Sequence, residues 1–257
     1  MNMNAKERIK KFWNNKPCGT FGVIPEEVDL PYFEKIRDRR YKLEPFIKTV
    51  VDFLSLKEKK VLEVGCGIGI DGMEFSKAGA DYTGIDASET SINLARRYFE
   101  FEKNNSPLIV ADTDSLPFVD NSFDYVFSWG VIHHTPNIRK AVEEIYRVLK
   151  PGGECCIMVY NRRSIVGAQL YVLYGLFRLN PFANFKKLFA EHHESPGTKA
   201  FTNKETLLLF KKFKDVKIVN IVTPYDLRIG RNRYLPNLFK YLIPAIVGFF
   251  KVIKGRK

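Results

Sequence analysis

The segment "VLEVGCGIGIDG" sets a carboxylate, Glu63, three alternate glycines, Gly65, Gly67 and Gly69, with Cys66 between the first two, and a second carboxylate, Asp71, along one apolar run and the turn that follows it. Glycines at this spacing let a backbone turn sharply and approach a ligand closely. The pattern is G-x-G-x-G, with Ile70 where a dinucleotide fingerprint would carry its third glycine. A pyrophosphate also needs a bare helix N-terminus. Glu63 and Asp71 would repel it and suit a cationic ligand instead. Asp86 closes the next β-branched run, ahead of Ala87 and Ser88, where a short carboxylate can accept hydrogen bonds from both hydroxyls of a ribose. In "VADTDSLPF", Asp112, with Thr113 and Asp114 behind it, can accept from an adenine amino group while apolar neighbours sandwich the ring. S-adenosylmethionine joins an adenosine to a sulfonium and an ammonium, and so meets these requirements together.

The four histidines come as two doublets, His133–His134 in "SWGVIHHTPN" and His192–His193 in "AEHHESPGTKAF". A near-neutral imidazole at the rim where a methyl donor meets an acceptor suits a general base, needed where the acceptor is an alcohol, a phenol or an acidic carbon. His134 is the first candidate and His133 the second; the plainer reading is that one of them lines the pocket or caps the next helix. His192 and His193, beside Glu194, could reach over the same mouth. No metal is expected: adjacent histidines point differently, and no cysteine or carboxylate follows them at ligand spacing.

These residues need a scaffold, and the rhythm of the chain supplies one. From Lys60, short β-branched runs ("KVLEVG", "DYTGID", "PLIVAD", "FDYVFSWG", "ECCIMVY") alternate with amphipathic stretches, the mark of a parallel sheet covered by helices on both faces. Ser88 is a natural N-cap for the helix read over "SETSINLARRYFEFEK". Ile138, Ala141, Val142, Ile145, Val148 and Leu149 form one apolar stripe that ends at Pro151-Gly152. After Tyr160 the rhythm breaks, then resumes with a helix at "NKETLLLFKKF" and a strand at "VKIVNIVT". The tail "LPNLFKYLIPAIVGFFKVIKGRK" reads either as a basic amphipathic element on an anionic membrane surface or as a helix broken at Pro244 before a last strand. Pro244 and Gly248 favour the strand.

Composition bounds the rest. The 257 residues are 45% hydrophobic, enough to bury one large α/β unit. No uncharged apolar stretch is long enough to span a bilayer and the N-terminus is polar, so a cytoplasmic protein is expected. Cys18, Cys66, Cys155 and Cys156 show no C-x-x-C spacing and read as reduced packing residues. Residues 1–159 hold 22 Lys and Arg against 24 Asp and Glu, whereas residues 160–257 hold 19 against 5, so the net charge of +12 arises wholly in the last part of the chain. Such a region attracts anionic partners. Its basic residues are dispersed among apolar ones with no RNA-binding module evident, which argues against nucleic acid.

"VLEVGCGIGIDG", "TGIDAS", "ADTDSLPFVDNSFDYVFSWGVIHHT" and "RVLKPGG", in this order over roughly residues 45–160, resemble the landmarks of class I S-adenosylmethionine-dependent methyltransferases, in particular the small-molecule group with the ubiquinone and sterol-type enzymes. The resemblance implies a Rossmann-like, doubly wound, seven-stranded sheet in the order 3-2-1-4-5-7-6, with strand 7 antiparallel. It also implies that Glu63, Gly65 and Gly67 frame the methionine part, that Asp86 holds the ribose, that Asp112 and Thr113 meet the adenine, and that Ser128, Trp129 and Gly130 lie near the reactive methyl. Residues 1–44 are expected to form a helical lid over a domain spanning 45–257. Trp13, Tyr32, Arg40 and Tyr41 would close the site, with Arg40 or Tyr41 reaching the methionine carboxylate. Residues 161–202 would be an insertion shaping the acceptor pocket, and their composition alone suggests an amphiphilic small molecule whose polar or anionic end meets Arg162, Arg163, Lys186 or Lys187. A tRNA-modifying methyltransferase and a non-enzymatic or dehydrogenase-type nucleotide binder are the alternatives.

Overall fold

The computed structural model describes residues 4–20, 24–25, 27–229 and 233–257. Ahead of the sheet lie α1 (Ala5–Asn15), α2 (Leu30–Leu43) and the single turn α3 (Ile47–Val50). The alternation read from the sequence then follows: β1 (Lys60–Val64), α4 (Ile70–Lys77), β2 (Asp81–Asp86), α5 (Glu89–Phe101), β3 (Leu108–Val110), β4 (Phe123–Trp129), α6 (Ile138–Val148) and β5 (Leu149–Asn161). Ser88 caps α5, its hydroxyl accepting from the Ser91 amide at 3.1 Å. The α6 stripe is buried at Ile138, Ala141, Val142, Ile145 and Val148.

Beyond β5 come α7 (Ile165–Tyr174), α8 (Phe185–His192), β6 (Ala200–Phe201), α9 (Asn203–Leu209) and β7 (Lys214–Ile221). A small hairpin of β8 (Arg228–Ile229) and β9 (Arg233–Tyr234) precedes the last strand, β10 (Phe250–Arg256). The main sheet runs β3-β2-β1-β4-β5-β10-β7. Its pairs from β3 to β5 are parallel, and β10 is inserted antiparallel to both β5 and β7, with Val252 opposite Met158 on one side and Val219 on the other. This is the expected order with its antiparallel seventh strand. The two-residue β6 is an addition: β5 runs past the end of β4, and Tyr160 and Asn161 pair there with Ala200 and Phe201.

The structure decides the ambiguous tail. Phe250, Lys251, Val252 and Ile253 are buried within the sheet, so the tail as a whole is no surface-lying membrane helix. Only residues 238–246, before the strand, keep exposed apolar side chains. Two apolar layers hold the molecule together. One packs α2, α4 and α5 on the sheet through Phe33, Met73, Phe75, Tyr82, Tyr98 and Phe99; the other sets the α6 stripe against Leu62, Val126, Ile157 and Ile253. Burying a large apolar side chain is worth roughly 1.5–3 kcal/mol, so these layers fix where the strand ends lie, and the strand ends carry the chemistry.

Candidate active site

A cavity of about 1480 Å³ opens at the carboxyl ends of β1 to β5, the edge on which open α/β sheets bind ligands. Ligand pockets commonly measure about 300–1,000 Å³, so this one has room for two molecules side by side. The glycine turn forms its floor. Gly65 and Gly67 both hold left-handed φ, +81° and +55°, but for different reasons. A Cβ on Gly65 would lie 2.3 Å from the Val131 side chain, whereas a Cβ on Gly67 meets no atom within 4 Å. Gly65 is small so that β1 and the loop after β4 can touch; Gly67 keeps its backbone bare toward the cavity.

Asp86 closes β2 at the cavity wall. Its two carboxylate oxygens accept the amides of Gly67 at 3.0 Å and Ser88 at 2.8 Å, which locks it at the cavity wall with further lone pairs to offer. Burial pushes its carboxyl up, and these amide hydrogen bonds oppose the shift. Glu63 lines the cavity too, accepting from the Tyr82 hydroxyl at 2.6 Å. Burial first, then the Asp71 carboxylate, raise it to about 8, so it gains from any cation placed beside it. Asp71 is fully engaged: the Arg40 guanidinium forks onto both its oxygens and the Tyr41 hydroxyl donates at 2.8 Å. Glu44 completes the group, 3.9 Å from Arg40 and accepting from Trp129 Nε1 at 2.8 Å. Arg40, Trp129 and Gly130 face the cavity.

Several expectations need correction. Tyr41 does not line the cavity, because its hydroxyl is spent on Asp71; Tyr32 does not either, its ring packing on Phe33. The Ser128 hydroxyl is buried and donates to the Val64 carbonyl at 2.8 Å, tying β4 to β1 rather than facing a ligand. Ser88 acts as a cap, whereas Cys66, Ala87, Asp112 and Thr113 line the cavity. Asp114 is turned away from the cavity and paired with Lys6 at 2.7 Å, and the same ammonium reaches Asp112 at 3.1 Å. Lys6 therefore fastens α1 across the mouth, where Ile9 and Trp13 also line it.

The insertion walls the other half of the cavity with Val166, Leu170, Leu173 and Tyr174 of α7, together with His193, Glu194 and Phe249. The four cations expected there face elsewhere. Arg162 and Lys186 pair with Glu205, Lys187 lies near Glu191, and Arg163 is exposed outside the cavity, so none of them meets an acceptor inside it.

At the junction of the two halves stands a cluster only partly foreseen. His134 Nδ1 lies 2.8 Å from Ser195 Oγ and 3.1 Å from Thr198 Oγ1, while Nε2 faces Glu194 Oε2 at 3.4 Å. The Tyr160 hydroxyl donates to the same carboxylate at 2.5 Å. Burial opposes ionisation of Glu194, but the His134 and Tyr160 contacts outweigh it and leave the carboxyl below its ordinary value. His133 is buried behind the wall and does not reach the cavity. Burial, then His134, depress its basicity well below the ordinary value, so it is a neutral wall residue rather than a base. Burial likewise lowers His193 to about 4. Glu194 was visible beside the second doublet, but no linear spacing could reveal that it and Tyr160 meet at His134. The carboxylate that appeared to be missing from the histidine doublet arrives from the insertion, and ligand atoms of His133, His134 and Glu194 all lie within 4.8 Å of one another. His134 Nδ1 and Glu194 have hydrogen-bond partners, whereas both ring nitrogens of His133 and Nε2 of His134 are buried without one.

Comparison with known proteins agrees with this architecture. Residues 62–157 match a methyltransferase domain family. Demethylmenaquinone methyltransferase of Staphylococcus aureus is 33% identical over 174 residues, covering 64% of this chain and 70% of that protein. Among solved structures, a SAM-dependent methyltransferase from Thermotoga maritima superposes with TM-score 0.55 at 20% identity, covering 88% of this chain and 96% of its own. The [4+2]-cyclase SpnF superposes with TM-score 0.60 at 18% identity, covering 99% and 96%. At such identities the solved structures speak for the fold alone, and a cyclase among them shows that one scaffold serves several chemistries. The sequence relative carries the assignment further: the chain belongs to the class I S-adenosylmethionine-dependent methyltransferases and is an enzyme of the small-molecule methylating kind.

Proposed function

We propose that the chain holds S-adenosylmethionine in the glycine and carboxylate half of the cavity and passes its methyl group to an amphiphilic small molecule lodged in the α7 half. One observation carries this reading: a single cavity joins an acidic, glycine-floored half to an apolar half, and the two meet beside Gly130 and His134. Asp86 takes the ribose hydroxyls, Asp112 and Thr113 the adenine edge, Glu63 the ammonium, and Arg40 the methionine carboxylate. Tyr41 and Asp71 position that guanidinium. A demethylmenaquinone, the substrate in the name of the Staphylococcus aureus relative, is of the small-molecule class the α7 half would accept. The four displaced cations give no reason to require an anionic end.

The reaction is an in-line displacement, in which the acceptor's bond to the methyl carbon forms as the sulfur-methyl bond breaks and its electron pair returns to sulfur. Alignment can supply most of the rate, since well-oriented intramolecular reactions gain about 7–11 kcal/mol. The acceptor's proton needs a destination. Thr198 Oγ1 donates its own hydrogen to the Ser195 carbonyl at 2.7 Å, so toward His134 Nδ1 it can only accept. Ser195 Oγ, the nearer hydroxyl at 2.8 Å, can donate to Nδ1, which turns Nε2–H toward Glu194 Oε2 at 3.4 Å and makes the His134–Glu194 pair the destination of the proton. Calorimetric titration with S-adenosylmethionine, S-adenosylhomocysteine and NADH tests the cofactor, and binding of NADH alone overturns the reading. Release of S-adenosylhomocysteine with tailed hydroquinones tests the acceptor class. His134→Ala should lower kcat about 10²–10⁴-fold with the cofactor Kd unchanged, and an unchanged kcat removes the base.

A further inference from the structure

The acceptor half of the cavity backs onto a surface that water alone does not explain. Along and after α7, Leu173 is 52% exposed, Phe177 76%, Leu179 92% and Phe182 94%. Across the molecule's own packing, α7 rests on the turn Pro224–Leu227, which rests in turn on Asn237–Leu242. In that last stretch Leu238 is 72% exposed, Tyr241 77% and Leu242 76%. A large apolar side chain left in water forgoes roughly 1.5–3 kcal/mol of burial, and contiguous patches of this kind mark interaction surfaces.

The charge around the patch selects the partner. No Asp or Glu occurs between Arg162 and Ala190, nor anywhere from Leu227 to Lys257. Cations are interleaved with the apolar groups: Arg178 lies 5.9 Å from the Tyr174 ring and Lys240 4.9 Å from the Tyr241 ring. Exposed apolar and aromatic side chains, basic residues and an absence of acids together describe an element lying in a lipid interface. Among the described residues no helix is long and apolar enough to cross a membrane, so the contact is peripheral. α7 carries no charged residue; Leu170 and Tyr174 line the cavity, and Val172 and Leu173 both line it and reach the exposed face.

The geometry points to this face, residues 172–185 together with 238–246, as a docking surface for an anionic lipid bilayer, with the cavity mouth opening toward the bilayer so that an apolar-tailed acceptor passes in along α7. The entry route rests on the function proposed above; the docking itself does not, and the two fail separately. Vesicle sedimentation of the full chain provides the test, with phosphatidylcholine vesicles beside vesicles of equal parts phosphatidylcholine and phosphatidylglycerol. The chain sediments with the mixed vesicles, less with the neutral ones, and less as salt is added. The double variant Phe177→Ser, Phe182→Ser loses vesicle affinity by at least tenfold. Because both rings stand in water, it keeps the wild-type melting temperature and S-adenosylmethionine affinity. Failure of the wild type to sediment with either vesicle overturns the proposal, as does equal binding by the double variant. Concentration-dependent self-association in light scattering that the double variant abolishes, without vesicle binding, assigns the face to a second copy and likewise overturns it.

Discussion

Gly65 and Gly67 look equivalent in the sequence, yet their surroundings separate what each one does. A side chain at Gly65 collides with Val131, so Gly65→Ala strains the junction of β1 with the loop after β4 and costs both stability and cofactor. A side chain at Gly67 enters open space and pays only for the left-handed backbone, about 1–2 kcal/mol. Gly67→Ala should therefore lower Tm by roughly 2–8 °C while abolishing S-adenosylmethionine binding in calorimetry. A variant that folds and binds normally would remove Gly67 from the cofactor floor. Asp86→Asn tests the neighbouring element of the site. One amide oxygen can still accept from Gly67 or Ser88, but the new NH₂ then faces the other amide, so affinity should fall by roughly tenfold or more, about 1.4 kcal/mol. Residues of this kind were legible because they follow strand ends at fixed spacing. Arg40 was legible as a candidate, but its engagement with Asp71 was not, since it joins α2 to α4 across the fold.

At the scale of elements, the sheet order was readable because each strand is a short β-branched run and each crossover helix has a clean stripe. What escaped was local: β6 forms only because β5 outruns β4, and the partners of His134 come from a turn that spacing cannot connect to it. The element expected to depend most on ligand is α1. It buries no side chain, and a capping box at Asn4 and Glu7 holds its start while Lys6 and Trp13 tether it over the cavity. A surface ion pair contributes only about 0–1 kcal/mol, so α1 should open readily in the free protein and close on cofactor. Trypsin cleavage at Lys10 and Lys11, followed by mass spectrometry, should slow by roughly tenfold or more with saturating S-adenosylmethionine. Equal rates with and without cofactor would mean that α1 is ordinary packing.

Across the whole molecule, the most consequential burial is of groups that would ionise in alkali. Burial pushes the Cys156 thiol up to about 12 and raises Cys66 and the Tyr82, Tyr125 and Tyr160 hydroxyls well above their ordinary values. In the unfolded chain these thiols lose their protons near pH 9.0 and the phenols near pH 10.0. The folded state therefore binds more protons than the unfolded state above those values, and stability falls as pH rises through them, by up to about 1.4 kcal/mol per pH unit for each such group. Lys251 pulls the other way. Fully buried in β10 with its ammonium donating to the Phe201 carbonyl at 2.6 Å, it is lowered by burial to about 8. Its folded value lies below the unfolded one of 10.5, so on its own it favours folding increasingly from about pH 8 to 10.5. Five raised acids outweigh one lowered base, and chemical denaturation should show wild-type stability declining from pH 9 upward. In Lys251→Met the rise between pH 8 and 9 should vanish and the decline from pH 9 to 10.5 should be steeper, because the opposing contribution is gone. A flat alkaline profile in both proteins would mean that these groups are hydrated and not sealed in the two apolar layers that position the site.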